Sequence, residues 1–189
     1  MTTTTATMIT SAEARAIACY TNDDYMVINR EHREGDLSPE TLKSTALIKA
    51  ALDKLPSFEG TVYRGFEQSI KGLYDLSVGK VFCDPAFFST SEKENVADDF
   101  GSKFHFFVIK CKKAGKSIRK YSCHRKEEEV LFPPGTKFLI TKVEGNKVWM
   151  EEIVDDDAKK PAAASTQAPV VVEKVEVTPQ AATQAPVVV

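Results

Sequence analysis

The sequence has no excess of charge of either sign and no long hydrophobic run. Its 25 lysines and arginines nearly balance its 27 aspartates and glutamates, so no net field draws the protein to nucleic acid or to an anionic membrane. No run approaches the roughly 18 apolar residues of a membrane span, and the first residues lack the basic and apolar regions of a secretion signal. We therefore expect a cytoplasmic protein that binds neither nucleic acid nor membranes.

Cysteine and histidine are few and scattered. The 4 cysteines form no C-x-x-C pair, which argues against a zinc site and against a disulfide framework. The 3 histidines, His32, His105 and His124, are too far apart in the chain to indicate a nucleophile with its base. The chain also lacks G-x-G-x-x-G, the motif that binds dinucleotides on a Rossmann fold. We expect neither a metal site nor a Rossmann domain.

Composition changes abruptly after Val154. Residues 155–189 begin with three aspartates, contain no aromatic residue and repeat the heptapeptide TQAPVVV at 166–172 and 183–189. Such a segment cannot bury enough apolar surface to offset the entropy lost on ordering. We predict one domain over residues 1–154 and a disordered tail over residues 155–189. The valine triplets could add to a partner's sheet edge, but a linker without its own chemistry is the simpler interpretation.

Helical signals fill the first sixty residues, and strand signals follow. Thr10 with Glu13 fits a capping box, and Ser38-Pro39-Glu40 is typical of a helix start. The helix after Ser38 carries an apolar stripe of Ile48, Ala51, Leu52 and Leu55. Strands are predicted at 61–65, 80–82, 86–91, 104–111 and 127–132, with a hairpin of 137–143 and 147–153 and a short helix at 94–100. This order, without regular alternation, indicates the α+β class.

Three polar clusters stand at the ends of predicted strands. Arg64 precedes Gly65, and a guanidinium there can hold a phosphate or carboxylate through two hydrogen bonds. The hydroxyls of Ser89-Thr90-Ser91 can cap a helix or orient a carboxylate. In Glu127-Glu128-Glu129, alternation along a strand would place Glu127 and Glu129 on one face and leave Glu128 solvated on the other. Taken singly, each cluster is usual in a turn, a cap or a solvated edge.

In the order YRG, FFSTS and EEEVLFPPGTKF, these clusters resemble the R-S-E signature of the mono-ADP-ribosyltransferase exoenzyme family, which includes bacterial toxins and phage-encoded enzymes. The segments YTNDDYMVIN and SEKENVADDFGSKFHFFVI also resemble the family's first helix and the stretch after its serine motif. The resemblance covers roughly Ile17 to Ile153. It implies N-terminal helices packed on a two-sheet, mixed or antiparallel β core, and a reaction that consumes NAD as co-substrate.

The resemblance implies a role for each matching residue. Glu129 would bind the ribose 2′-hydroxyl and stabilise the oxocarbenium-like cation that forms as nicotinamide leaves. Ser89 would support Glu129 and the nicotinamide ribose. Arg64 would hold the NAD phosphates, and the backbone of Gly65 would bind the nicotinamide carboxamide. Further NAD contacts are implied for Phe100 on the nicotinamide, Lys103 on a phosphate, and Tyr25 and Asn29 on the adenosine side.

The E-x-E motif of Glu127 and Glu129 bears on which group accepts the ADP-ribose. A carboxylate at Glu127 can orient a guanidinium, whereas relatives with glutamine at this position usually modify other residue types, so the spacing suggests arginine on a target protein. The loop 115–126 resembles the family's substrate-recognition loop, and Tyr121 is its aromatic candidate for contacting the target. Its basic residues could favour an acidic target surface.

Three activities fit these features. Transfer of ADP-ribose to a protein arginine is the leading hypothesis. An NAD glycohydrolase, in which water replaces arginine, needs the same catalytic glutamate, and a noncatalytic binding module could keep the fold. The small size, with neither export signal nor translocation domain, favours a monomeric phage protein that modifies a host protein in the infected cell.

Overall fold

The computed structural model describes residues 8–66, 74–99 and 105–154. The helices of the N-terminal part are α1 (Ser11–Cys19), a π-helix (Tyr20–Asp24), α2 (Tyr25–Glu34) and α3 (Pro39–Lys54), and α4 (Glu94–Asp99) follows among the strands. The predicted tail lies outside the described residues, as do Phe100 and Lys103.

The starts of α1 and α3 confirm the capping signals of the sequence. The Glu13 amide donates to the Thr10 hydroxyl at 3.3 Å, and the Thr10 amide donates to the Glu13 carboxylate at 2.7 Å. At α3, the Thr41 amide donates to the Ser38 hydroxyl at 3.2 Å. Three residues of the predicted stripe on α3 are fully buried: Ile48, Ala51 and Leu52. The caps therefore fix where α1 and α3 begin, and the apolar stripe fixes which face α3 buries.

The described residues form eight strands in one mixed sheet of order β2-β7-β8-β4-β1-β3-β6-β5. Their bounds are β1 Gly60–Phe66, β2 Val81–Cys83, β3 Phe88–Ser91, β4 His105–Cys111, β5 Lys116–Ser117, β6 Glu129–Phe132, β7 Lys137–Glu144 and β8 Lys147–Glu152. The pair β4 and β8 is parallel, and the other neighbours are antiparallel. The predicted α+β class and the terminal hairpin are confirmed.

The two predicted sheets are joined in the structure. The strands β2, β7, β8, β4 and β1 form one group, and β3, β6 and β5 form a second. The groups meet where β1 pairs with β3 at the register of Tyr63 and Ser91, so hydrogen bonding continues from one group to the next. Arg64 on β1 is one residue from this junction and Ser89 on β3 is two residues from it.

Two hydrophobic cores lie on opposite sides of β3 and β6. Phe88 and Phe132 pack into an aromatic core with other sheet residues, whereas Phe87 and Leu131 pack against the N-terminal helices. Successive side chains on a strand point to opposite faces. These two short strands are therefore clamped between helices and sheet, which gives the hydroxyl and carboxylate groups on them a rigid support.

No helix of the described part combines the length and apolarity needed to cross a membrane.

A buried carboxylate fixes the turn after β4. Glu152 is 2% exposed and accepts three backbone hydrogen bonds, from the amides of Lys112 at 2.7 Å, Lys113 at 2.9 Å and Ala114 at 2.6 Å. A buried carboxylate is stabilised when several N–H donors surround it. This arrangement anchors the end of β8 to the turn that leads into β5.

We expect Glu152→Gln to lower the free energy of unfolding by about 1.5–3 kcal/mol, because an amide replaces a charged acceptor and turns its NH₂ group toward backbone donors. Glu151→Gln is the matched control, since Glu151 is partly exposed and pairs only at the surface with Lys110 and Lys112. Denaturant unfolding of both variants measures the difference. Equal stabilities would show that the three amide contacts contribute nothing net.

Candidate active site

A cleft of about 620 Å³ lies between β1, β3, β6 and the π-helix with α2. It brings together seven residues that the sequence singled out: Tyr25, Asn29, Arg64, Gly65, Ser89, Glu127 and Glu129. Its volume lies in the range of small-molecule sites. A second groove of about 660 Å³, across β4, β7 and β8, contains none of the predicted site residues.

Arg64 is buried in this cleft. Its Nη1 donates to the backbone carbonyl of Ser89 at 2.6 Å, and its guanidinium carbon lies 5.0 Å and 4.7 Å from the ring centroids of Phe66 and Phe88. Burial is the main reason that the pKa of Arg64 falls below its usual value, yet arginine remains protonated in proteins. Its buried Nε has no hydrogen-bond partner among the described residues. The cleft therefore offers a fixed cation with an unused donor, which fits an anionic ligand.

The Ser-Thr-Ser triplet holds the glutamate segment through all three hydroxyls. Ser89 donates to the Glu129 carboxylate at 2.5 Å. Thr90 and Ser91 donate to the backbone carbonyls of Val130 and Glu127, each at 2.6 Å. The sequence left open whether these hydroxyls cap a helix or orient a carboxylate. Ser89 orients a carboxylate, whereas Ser91 also accepts from the Lys93 amide at 2.9 Å, just before α4.

Glu129 is a buried carboxylate with a perturbed acidity. Only 6% of the residue is exposed. Burial raises its pKa to about 7, the nearby Glu127 carboxylate adds to the increase, and the Ser89 hydrogen bond and Arg64 oppose it. A carboxyl group that titrates near neutral pH inside a cleft is a physical mark of a functional site.

The chain before Glu129 departs from the predicted strand. The strand was expected from Glu127 but begins at Glu129, because Arg125–Glu127 forms a 3₁₀ turn and Glu128 adopts a left-handed conformation with φ 47° and ψ 52°. Glu127 and Glu129 still line one cleft. They converge through a turn, not through strand alternation as the sequence analysis assumed.

The expectation that Glu128 is solvated is also wrong. Its side chain is only 17% exposed and pairs with Lys93 at 3.1 Å and Arg119 at 3.0 Å. The sequence could not reveal these pairs, because both cations come from segments that only the fold brings together.

The π-helix and α2 form the opposite wall. Asn29 donates through Nδ2 to the Tyr20 hydroxyl at 3.0 Å, while its buried Oδ1 has no partner among the described residues. Tyr25 is half exposed, and its ring centroid lies 6.4 Å from that of Tyr20. Residues five apart lie on different faces of an α-helix but nearly align on a π-helix, so the π-helix allows Tyr20 and Tyr25 to share this wall.

Eight of the described residues that line the cleft had no predicted role: Tyr20, Thr21, Asn22, Tyr63, Phe66, Val96, Ala97 and His124. A hydrogen bond of Thr21 accounts for the position of His124 in the cleft. Its hydroxyl accepts from the Cys123 amide at 3.0 Å, which holds the loop bearing His124 against the π-helix. A π-helix has no clear sequence signal, so the contact between Thr21 and Cys123 could not have been predicted.

One predicted site residue of the described ranges, Tyr121, lies outside the cleft. Tyr121 is partly buried against the helical core, with the Lys120 amine 5.7 Å from its ring centroid, and it does not line the described part of the cleft. Phe100 and Lys103 fall outside the described residues. Within the described ranges, no group of three or more metal-ligating side chains converges.

The model of the ADP-ribosyltransferase exoenzyme family matches residues 2–167. This chain belongs to the ADP-ribosyltransferase exoenzyme family. In this member of the family, Arg64, Ser89 and Glu129 line one cleft.

Individual members of the family are similar along most of this chain. The Vis protein of Vibrio splendidus is 33% identical over 151 residues, covering 72% of this chain and 61% of Vis. The NAD(+)–protein-arginine ADP-ribosyltransferase Tre1 of Serratia proteamaculans is 32% identical over 143 residues, covering 74% of this chain and 31% of Tre1. The match thus spans less than two thirds of either relative.

Solved structures show the same fold. The crystal structure of the ADP-ribosyltransferase Vis in complex with agmatine superimposes with a TM-score of 0.70 at 30% identity, covering 82% of this chain and 80% of that one. Agmatine is the decarboxylated form of arginine and keeps its guanidinium group.

We expect Glu129→Gln to stabilise the fold in a pH-dependent way. Above pH 7 the folded protein must bury a charged carboxylate, whereas below about pH 4.5 the group is protonated in both folded and unfolded states. The gain in free energy of unfolding should therefore be largest above pH 7. It should reach roughly 3 kcal/mol there, because the pKa of Glu129 rises from 4.5 in the unfolded chain to about 7 in the folded protein. It should shrink as pH falls through this window.

Thermal unfolding of Glu129→Gln and the parent protein between pH 4 and 8 measures this gain, with Glu151→Gln as the control. A stability difference that does not change with pH would contradict the raised pKa.

Proposed function

We propose that this protein transfers ADP-ribose from NAD to arginine side chains of a target protein and releases nicotinamide. The observation that carries the proposal is the buried Glu129, held by Ser89 in one cleft with Arg64 and Glu127. The names of the relatives and the agmatine complex of Vis support the choice of reaction and acceptor.

The residues of the cleft fit NAD as co-substrate. Arg64 offers a buried cation with an unpartnered Nε, which suits a pyrophosphate, and Asn29 offers an unpartnered Oδ1 to hydroxyl or amine donors. Gly65 has no side chain to keep a ligand from its backbone. NAD supplies the ADP-ribosyl group, and these residues would hold it against β1 and α2.

Glu129 would act on the sugar. Breaking the bond between nicotinamide and ribose develops positive charge on the ribose, and a carboxylate already in place stabilises that charge more than it stabilises the ground state. The Ser89 hydroxyl fixes the carboxylate, so little reorganisation is needed as the charge develops. Because the pKa of Glu129 is raised to about 7, the charged form, and with it the rate, should increase as pH rises through neutrality.

Glu127 would act on the acceptor. Its carboxylate lines the same cleft but makes no hydrogen bond or ion pair with the described residues. It is therefore available to pair with an incoming guanidinium and turn one nitrogen toward the ribose carbon. A second carboxylate placed beside the first distinguishes transfer to arginine from transfer to water, which needs no such partner.

Incubating the protein with NAD and agmatine tests the proposal. The expected result is release of nicotinamide together with formation of ADP-ribosyl-agmatine, and Glu129→Gln should lower both by at least about 10²-fold, as expected for loss of one preorganised electrostatic group. Glu151→Gln, at a partly exposed position of β8 outside the cleft, is the control. Release of nicotinamide without any modified agmatine would identify a glycohydrolase, and no release would leave a binding module.

Glu127→Gln should separate the two half-reactions. We expect nicotinamide release without acceptor to stay within about threefold of the parent rate, while transfer to agmatine drops by at least about 10²-fold, because a neutral amide cannot pair with the guanidinium. Chromatographic assay of nicotinamide and of ADP-ribosyl-agmatine in one reaction measures both. If the two rates fell together, Glu127 would not have a role specific to the acceptor.

A further inference from the structure

Glu128 connects three segments around the cleft. Its carboxylate pairs with Lys93, which follows the Ser-Thr-Ser triplet, and with Arg119, which belongs to the loop after β5. The cations are about half exposed, and each pair alone would contribute little. Two cations on one carboxylate that is 17% exposed nevertheless form a network, which restrains all three segments together.

The backbone at Glu128 is held in an unfavourable conformation. It is the one non-glycine residue with positive φ in the described ranges, and a side chain there brings Cβ close to the following carbonyl oxygen. Such a conformation persists only when its surroundings determine it. Here the Ser91 hydroxyl binds the carbonyl of Glu127, and the Glu92 amide donates to the carbonyl of Glu128 at 3.1 Å.

The neighbouring Glu127 depends on this support. Its carboxylate has no partner among the described residues, so its direction is set by the backbone to which Glu128 belongs. Arg119 is itself a guanidinium that lies 3.0 Å from the Glu128 carboxylate, one residue along the chain from Glu127, and its pairing with Glu128 keeps it from pairing with Glu127 instead. The pairing of Lys93 with Glu128 likewise keeps the Lys93 amine from pairing with Glu127. Glu128 thus affects both where Glu127 points and which cations compete for it.

We propose that Glu128 is a positioning residue for the acceptor step: by holding the left-handed turn and pairing with Lys93 and Arg119, it keeps the Glu127 carboxylate available to the acceptor guanidinium. The proposal rests on the proposed function. It assigns Glu128 no contact with NAD, so it concerns transfer and not the breaking of the bond to nicotinamide.

Glu128→Asp and Glu128→Asn form a matched pair for the test. Both side chains tolerate the left-handed conformation and have the same size, but only aspartate keeps the charge. We expect Glu128→Asn to lower kcat/KM for agmatine by about tenfold, mainly through a higher KM, since partial misplacement of a group costs less than the roughly 10²-fold of a full 1 Å displacement. Nicotinamide release without acceptor should stay within about twofold, and Glu128→Asp should retain both activities within about threefold.

Rescue provides the second measurement. In the Glu128→Asn background, Arg119→Gln removes the competing guanidinium and should recover part of the lost affinity for agmatine. Glu151→Gln, which lies outside the cleft, serves as the control variant, and thermal unfolding verifies that every variant is folded.

Three outcomes would overturn the proposal: Glu128→Asn with the parent kcat/KM for agmatine, equal loss of transfer and nicotinamide release, or equal loss of transfer in Glu128→Asn and Glu128→Asp. A parent protein that neither releases nicotinamide nor modifies agmatine would instead refute the proposed function, and the inference with it.

Discussion

The hydrogen bond from Ser89 to Glu129 is the contact around which the cleft is organised. Burial drives the Glu129 carboxyl toward its protonated form, and the Ser89 hydroxyl is the largest effect that opposes this. The bond exists because β3 and β6 pair in the register that sets Ser91 opposite Glu129 and Ser89 opposite Leu131. Two cores clamp these strands from either side, so the position of one oxygen depends on packing throughout the domain.

The cleft places groups where burial costs free energy. Arg64 and Glu129 are both buried ionisable groups. Burial lowers the pKa of Arg64 and raises the pKa of Glu129, so it favours the neutral form of each. A fold optimised only for stability would replace them with apolar side chains. Their retention, together with the unpartnered Nε of Arg64 and Oδ1 of Asn29, is the expected mark of a site whose polar groups are satisfied by ligand.

The three consecutive residues Glu127, Glu128 and Glu129 lie in three different environments. Glu129 belongs to a buried strand and has a hydroxyl partner, Glu127 belongs to a turn and has no partner in the described part of the chain, and Glu128 lies between them with two cations. Three chemically identical side chains in a row therefore differ in their partners and in their freedom to pair. Under the proposed function, these differences assign one carboxylate to the sugar, one to the acceptor and one to the geometry of the other two.

The sequence alone predicted the α+β class, the capped helices, the hairpin and the convergence of Arg64, Ser89 and Glu129, because capping, periodicity and short polar motifs are local signals or are specific to a family. It misplaced the start of β6 and the environment of Glu128, since the pairs with Lys93 and Arg119 and the hydrogen bond from the Glu92 amide reach that residue from distant segments. The π-helix that aligns Tyr20 with Tyr25 was equally hidden, because its residues show no period that separates it from an α-helix. Local signals thus indicated residues that line the cleft, and long-range contacts decided the backbone angles that orient them.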